Sequence, residues 1–378
     1  MNATEQWLVE LRRGLHARQT HQLLRTLQLP QGVDLTSNDY LGLAADPQLA
    51  AETADFVHAC GAGSGASRLL RGHAAWHVQA EAALAAFCGR EAALLFSSGF
   101  SANVGVLPAL LGPKDSVFSD AYNHASLIDG IRLSRAQVHV YPHQHLEILH
   151  HLLQKPCAGR KLIVTESLFS MDGDLTPLAE ICALAHENGA AVYVDEAHAT
   201  GLYGARGSGL VEALNLQSLV LATMHTGGKA LGVGGAWIAG DQVLVDHLIN
   251  HSRSFVFSTA ALPALAGGLL AAARLREHLQ PRVDYVLENA QWLRETLQQA
   301  GLNIGTANSL IVPVILGSSA LALQVAAALQ MRGWDVRAVR PPTVPLDTAR
   351  LRVTVRAPIA QQQWYEFAQD LLEVVASA

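Results

Sequence analysis

Ala190-Ala191-Val192-Tyr193-Val194-Asp195-Glu196-Ala197-His198 is the stretch that decides how this chain folds. Ala191 to Val194 run without a polar interruption and stop at an aspartate. A run that short, just after Asn188-Gly189, predicts a strand buried on both faces rather than an amphipathic helix. Immediately upstream, Thr176-Pro177 offers an N-cap followed by proline in the first turn, so a helix is expected from there to Asn188-Gly189. Further upstream, Leu162-Ile163-Val164 reads as another short strand. Strand, helix and strand in succession form the repeating unit of a parallel sheet.

The alternation extends both ways. Ala92 to Phe96, Val117-Phe118, Val138 to Tyr141, Leu219 to Ala222 and Ala236-Trp237-Ile238 are further strand expectations. Trp76, Ala80, Ala83, Leu84 and Phe87 form a helical stripe that stops at Gly89. Helices are also expected from Ser97-Ser98-Gly99 to Leu111 and from Leu146. The fold class is therefore α/β, with a mostly parallel sheet in a large domain and helices on both faces. The C-terminal part differs. Helices at about 262–279, 283–300, 318–332 and 361–376 mix with strands at Leu310 to Leu316, Val336 to Val339 and Leu351 to Val355, which predicts a smaller α+β domain. The first 30 residues read as one helix, ended by Pro30, with a short segment Val33 to Leu43 after it. The expected divisions are an N-terminal helix and arm at 1–42, a large domain at 43–270 and a small domain at 271–378.

Composition narrows the function. The chain has 378 residues, 50% of them apolar and only 15% charged, against a usual charged share of about 25%. That excludes a disordered chain. Lys and Arg number 26 against 32 Asp and Glu, a formal net charge of −6. No basic excess is present to neutralise phosphates, so no nucleic-acid partner is expected. The apolar stretch Ala260 to Ala273, broken by Pro263 and two glycines, is shorter than the roughly 20 residues of a membrane helix. No signal peptide is read, and a cytoplasmic location is expected. Cys60, Cys88, Cys157 and Cys182 form no Cys-x-x-Cys pair, so neither a zinc ribbon nor a disulfide framework is indicated. The histidines at 139, 143, 145, 150 and 151 lack the spacing of a metal shell and read as solvated; no metal is expected.

In open parallel sheets, ligands bind beyond the carboxyl ends of the strands. The polar residues just after the expected strands are Ser98-Gly99-Phe100, Asn123-His124, Glu166 with Ser170, Asp195 with His198, and Thr226 with Lys229. Each has an ordinary explanation: a helix cap, a surface histidine, a turn-capping aspartate, a loop lysine. One cofactor explains them together. Pyridoxal phosphate (PLP) needs a lysine to form a Schiff base with its aldehyde, an aspartate to keep its ring nitrogen protonated, and a helix N-terminus with a hydroxyl for its phosphate. Lys229, Asp195 and Gly99-Phe100 with Thr226 supply these. His124 can stack on the ring face, and His198 can reach the phenolic oxygen.

Longer stretches then resemble one family. Ser37-Asn38-Asp39-Tyr40-Leu41-Gly42-Leu43, Gly63-Ser64-Gly65-Ala66-Ser67-Arg68, Ser98-Gly99-Phe100-Ser101-Ala102-Asn103, His124-Ala125-Ser126-Leu127, Glu166 through Asp174, Asp195-Glu196-Ala197-His198 and Thr226-Gly227-Gly228-Lys229-Ala230-Leu231-Gly232 resemble, in order, the signatures of the α-oxoamine synthases. The resemblance implies the aminotransferase-like type I PLP fold and a homodimer with a shared active site. It implies a catalytic set of Lys229, His124, Asp195 and His198, and a cofactor site that also includes Gly99, Phe100, Ser170, Thr226 and Thr259. Arg340-Pro341-Pro342-Thr343-Val344-Pro345, with Thr348 to Arg352, is most similar to the branch that condenses L-alanine with a pimeloyl thioester in biotin synthesis. By that similarity Arg25, placed on the first helix, His124 and Thr343 contact substrate, and Arg352 holds the amino-acid carboxylate. The carrier, coenzyme A or acyl carrier protein, stays open. Ala199, His225 and Val355-Arg356-Ala357-Pro358 depart from the usual family residues.

Alternatives within the family are the synthases that use glycine or serine. From a different class, an inactive PLP-fold binding protein is the alternative, though the lysine and aspartate are intact. Asp195-Glu196-Ala197-His198 also spells a helicase box, but the phosphate-cradling Gly-x-x-x-x-Gly-Lys-Ser/Thr is missing. Gly61-x-Gly63-x-Gly65 lacks both the register and the preceding strand of a dinucleotide fingerprint. No Gly-x-Ser-x-Gly of a serine hydrolase occurs.

Overall fold

The structure, a computed structural model, describes residues 1–21 and 23–378. In chain order the strands are β1 Val33–Asp34, β2 Ala92–Phe96, β3 Ser116–Asp120, β4 Gln137–Tyr141, β5 Lys161–Glu166, β6 Ala190–Asp195, β7 Ala222–Thr226, β8 Ala236–Gly240, β9 Ile311–Gly317, β10 Trp334–Asp335, β11 Ala338–Val339 and β12 Ala349–Thr354. The helices are α1 Ala3–Thr20, α2 Pro47–Cys60, α3 Ala75–Cys88, α4 Gly99–Leu110, α5 Ala125–Ser134, α6 Leu146–Leu153, α7 Leu178–Glu187, α8 Leu210–Ala213, α9 Gln242–His251, α10 Arg253–Val256, α11 Pro263–Arg276, α12 Gln280–Gln299, α13 Ser319–Met331 and α14 Gln361–Ser377.

Two compact units form. One comprises Asn38–Ser170 and Asp174–Val286; the other comprises Met1–Ser37, Met171–Gly173 and Leu287–Ala378. Their limits differ from the expected divisions at 42/43 and 270/271: the first lies at Ser37/Asn38 and the last at Val286/Leu287, inside α12.

The larger unit holds a seven-stranded sheet in the order β2-β8-β7-β6-β5-β3-β4. β8 runs antiparallel to both its neighbours, and the other pairs are parallel. β2 and β8 are buried along their whole length, as an unbroken apolar run demands of a strand covered on both faces, and β3 is buried throughout although it carries Ser116, Ser119 and Asp120. Leu94, Phe96, Val106, Leu107, Leu127, Ile131, Met224, Ile238 and Phe255 join one apolar cluster between sheet strands and helices α4, α5 and α10. Helices α4 and α5 approach closely because α5 carries Gly130. A Cβ there would come within 2.6 Å of the Asn103 carbonyl on α4.

The smaller unit pairs β11-β12-β9 as an antiparallel sheet and β1 with β10 in parallel. Its core includes Trp364, Phe367 and Leu371 of α14 with Val325 and Leu329 of α13.

Four expectations are corrected. The first helix ends at Thr20 and not at Pro30. None of its residues is buried, so no tertiary packing extends it. Leu23, Leu24 and Leu27, expected on that helix, lie outside it, as does Arg25. The strand expected at Leu219 to Ala222 begins only at Ala222, since Gln217–Leu219 forms a 3-10 turn. Its Thr223 and His225 are polar but buried: His225 Nε2 and Thr223 Oγ1 are 2.7 Å apart, and Thr200 Oγ1 lies 2.9 Å from His225 Nδ1. Val336 to Val339 is not one strand but contributes only β11, after the separate pair β10. Thr176 does not cap the following helix. Its hydroxyl donates to the Glu166 carbonyl at 2.6 Å, and the helix starts at Leu178 with Pro177 as its cap.

Candidate active site

The carboxyl ends of β2, β3, β5, β6 and β7 deliver Ser98-Gly99, Asn123-His124, Glu166, Asp195 and Thr226. These are the strand-end positions singled out in the sequence, all within the larger unit.

Asp195 is the last residue of β6 and is buried. Its Oδ2 accepts from Asn103 Nδ2 at 2.9 Å, and its Oδ1 accepts from the Ala197 amide at 2.9 Å. Asn103 is itself fixed: Nδ2 also donates to Ser126 Oγ at 2.9 Å, and Oδ1 accepts from the Tyr193 hydroxyl at 2.7 Å. A carboxylate has about four acceptor positions, so Asp195 keeps capacity for one more donor such as a ring N–H. Its strand neighbour in register is Glu166, also buried. Glu166 Oε1 accepts from the His124 amide at 2.6 Å. Burial pushes the Glu166 carboxyl well up, the Asp195 charge adds to that, and the Lys229 ammonium opposes it.

His124 caps α5, with Nδ1 2.8 Å from Ser126 Oγ. Desolvation by its surroundings holds the imidazole below its ordinary value. The Asp195 carboxylate opposes this, and the Lys229 ammonium reinforces it. A neutral, flat ring results, edge-on to Phe100 with centroids 6.5 Å apart. Phe100 is 48% exposed. His198 is buried, and its Nδ1 lies 2.6 Å from the Tyr40 hydroxyl.

At the start of α4, Ser98 caps the helix by accepting from the Ser101 amide at 3.1 Å. Gly99 and Phe100 occupy the first turn, whose N–H groups have no partner within a helix. A Cβ on Gly99 would sit 3.3 Å from the Met224 methyl. Across the sheet end, Thr226 Oγ1 donates to the Gly235 carbonyl at 3.0 Å and accepts from the Gly228 amide at 3.2 Å. These bonds shape the turn that carries Lys229, which is half-buried. This donor set fits PLP: an amine for its aldehyde, a buried carboxylate for its ring nitrogen, a neutral imidazole for its face and a helix N-terminus for its phosphate.

The remaining expected residues are placed as follows. Ser170 is half-buried and Thr259 exposed, both in the larger unit. In the smaller unit, Arg25 Nη2 donates to Thr343 Oγ1 at 2.8 Å, so two residues 318 positions apart meet. Both line a cavity of about 770 Å³ that also carries Arg337 and Arg340. Arg352, on β12, is 8% exposed, and its Nη1 donates to Thr354 Oγ1 at 2.9 Å.

Asn103 and Tyr40 had no assigned role in the sequence, although both lie within quoted stretches; nothing local distinguishes them. His143 was read as solvated and is not. Only 15% of its side chain is exposed, and its two nitrogens lie 2.9 Å from Asp120 Oδ1 and 2.7 Å from Asp174 Oδ2. Among the described residues, no group of three or more His, Cys, Asp or Glu is arranged to hold a metal ion. No described helix is long and apolar enough to cross a membrane.

Residues 30–371 match the model of the family described as aminotransferase class I and II. An 8-amino-7-oxononanoate synthase of Anaeromyxobacter dehalogenans strain 2CP-1 is 50% identical over 86% of this chain and 82% of its own length. One from Anaeromyxobacter sp. strain Fw109-5 is 47% identical over 98% of this chain and 96% of its own. Among solved structures, a high-resolution serine palmitoyltransferase with PLP superposes with a TM-score of 0.87 at 29% identity, covering 92% of this chain and 88% of that one.

Proposed function

From the premise that the chain belongs to the class I and II aminotransferase family, and there to the α-oxoamine synthases, we propose the following function. The protein is a PLP-dependent acyltransferase that joins L-alanine to a pimeloyl thioester, giving 8-amino-7-oxononanoate, carbon dioxide and the free thiol carrier. The observation that carries the PLP chemistry is Asp195, a buried carboxylate held by Asn103 at the end of the strand beside the one that leads to Lys229. The choice of alanine and pimeloyl rests on the oxononanoate synthases, which are far more similar in sequence than the serine palmitoyltransferase.

When bound, PLP supplies an aldehyde for covalent attachment and a ring that withdraws electrons from the substrate α-carbon. Lys229 anchors it through Nζ and, as a free amine, takes the α-proton of alanine. Asp195 holds a proton on the ring nitrogen. His124 would cover one face of the ring, its neutral state avoiding repulsion from that proton. His198, its ring held through Nδ1 by Tyr40, would meet the phenolic oxygen. Gly99, Phe100 and Thr226 would hold the phosphate, where the α4 N-terminus favours an anion, and Ser170 and Thr259 would complete the cofactor site. Arg352 takes the alanine carboxylate with a guanidinium fork until that group leaves as carbon dioxide. Arg25 and Thr343, hydrogen-bonded to each other, contact the acyl substrate. The bond formed joins the alanine α-carbon to the thioester carbonyl, and the thiol departs. In this reading the protein works as a cytoplasmic homodimer that shares its active sites, with coenzyme A or acyl carrier protein bringing the acyl group.

The test is a product balance. The PLP-loaded protein with L-alanine and pimeloyl-coenzyme A should release carbon dioxide and free thiol in equal amounts, and Lys229→Ala should release neither. Release of thiol without carbon dioxide would contradict the condensation.

A further inference from the structure

His143 follows β4, between two segments of the larger unit that the proposed chemistry uses. One runs from Asp120 at the end of β3 to His124. The other comprises Glu166–Ser170 and Asp174–Thr176. Its Nδ1 lies 2.9 Å from Asp120 Oδ1 and its Nε2 lies 2.7 Å from Asp174 Oδ2. Only an imidazolium donates from both nitrogens. The ring stacks on Tyr122 with centroids 4.4 Å apart and meets Phe169 edge-on at 4.4 Å. Each segment is tied to the same bridge by its backbone. The Tyr122 amide donates to Asp120 Oδ1 at 2.8 Å, and the Phe169 amide donates to the Asp174 carbonyl at 3.1 Å. Gln144 completes the bridge, its amide on Asp120 Oδ2 at 3.0 Å and its side chain on Asp174 Oδ2 at 2.9 Å. Both carboxylates are buried, and Asp174 Oδ1 has no hydrogen-bond partner. Without a cation between them, two buried anions would face each other across the gap.

We propose that His143, as a doubly donating imidazolium, is a positioning residue for the reaction: it clamps the segment ending in His124 to the segment carrying Ser170. The inference rests on the reading of His124 and Ser170 as cofactor-binding residues. The charged groups that face it are Asp120 and Asp174, and their hydrogen bonds and charges raise His143 to about 10 against the pull of burial. One ring between two carboxylates, each within hydrogen-bond reach of one of its nitrogens, favours the charged form.

The experiment compares the wild-type holoenzyme with His143→Phe, which keeps the ring packing and loses both donors, and His143→Gln, which keeps an amide donor. Loss of hydrogen bonds to charged groups should weaken PLP binding by about ten-fold or more in His143→Phe. It should also change the visible circular dichroism of bound PLP and lower kcat with little change in the KM for L-alanine; His143→Gln should fall between. A folded His143→Phe with wild-type PLP affinity, dichroism and kcat overturns the proposal, even if its melting temperature drops. If neither variant folds, nitrogen NMR of the wild-type imidazole decides: both nitrogens protonated at pH 8 supports the clamp, and a neutral ring overturns it. A wild-type chain that does not bind PLP contradicts the functional reading instead, and the NMR measurement still decides the clamp.

Discussion

Asn103→Leu removes the three hydrogen bonds of one fully buried side chain while keeping its heavy-atom count and its branching at Cγ, so no cavity is opened. The bond to the Asp195 carboxylate is the costliest to lose, at about 1.5–3 kcal/mol for a hydrogen bond to a charged group. The Tyr193 hydroxyl, wholly buried, is left without its acceptor, at about 1–3 kcal/mol. Ser126 loses least, because its hydroxyl still has His124 Nδ1 at 2.8 Å. The contributions are not fully additive, and a net destabilisation of about 3 kcal/mol is expected. Tyr193→Phe removes only the hydroxyl contact and should cost about 1 kcal/mol. Urea unfolding of both variants, read by linear extrapolation, measures the pair. PLP affinity should fall markedly for Asn103→Leu and little for Tyr193→Phe, because only the first releases Asp195. Asn103→Leu within about 0.5 kcal/mol of wild type, the usual range of a surface change, with unchanged PLP binding, would refute the reasoning.

His225 is buried neutral, and burial pushes it down to about 3. Its unfolded value of 6.5 lies above its folded one, so between pH 6.5 and 3 the unfolded chain binds the extra proton, and stability falls as pH falls. His225→Asn should flatten the stability–pH slope by up to about 1.4 kcal/mol per pH unit in that window; denaturation at several pH values with an unchanged slope contradicts the buried neutral state. Arg352→Lys should raise the KM for L-alanine by about 30-fold or more while leaving the KM for the thioester nearly unchanged, since an ammonium cannot replace the bidentate fork. An equal rise in both constants would remove Arg352 from the carboxylate.

The parallel sheet was legible because strands covered on both faces must be almost wholly apolar. Ala92 to Phe96 and Ala191 to Val194 fall inside β2 and β6 for that reason. The strand ends then pointed to Ser98, His124, Glu166, Asp195 and Thr226. β7 was misplaced because Thr223 and His225 satisfy each other inside the protein, so its buried half looks polar. His143 was misread for a related reason. Its partners Asp120 and Asp174 stand 23 and 31 positions away, and only folding makes a charged bridge of them. Asn103 gave no signal because its function is to hold Asp195, 92 residues on. The first helix was overextended because leucine spacing shows where a helix can run, whereas packing decides where it stops.

The measurement that bears most directly on the whole account is a visible absorbance spectrum of the purified protein with PLP, followed by borohydride reduction and, separately, titration with L-alanine, glycine and L-serine. The account predicts a yellow band that borohydride bleaches, a reduced label on the peptide containing Lys229, and a spectral response strongest with L-alanine. A protein that stays colourless once unbound PLP has been removed would contradict the central claim, and a response strongest with glycine or L-serine would move the chain to a sister synthase.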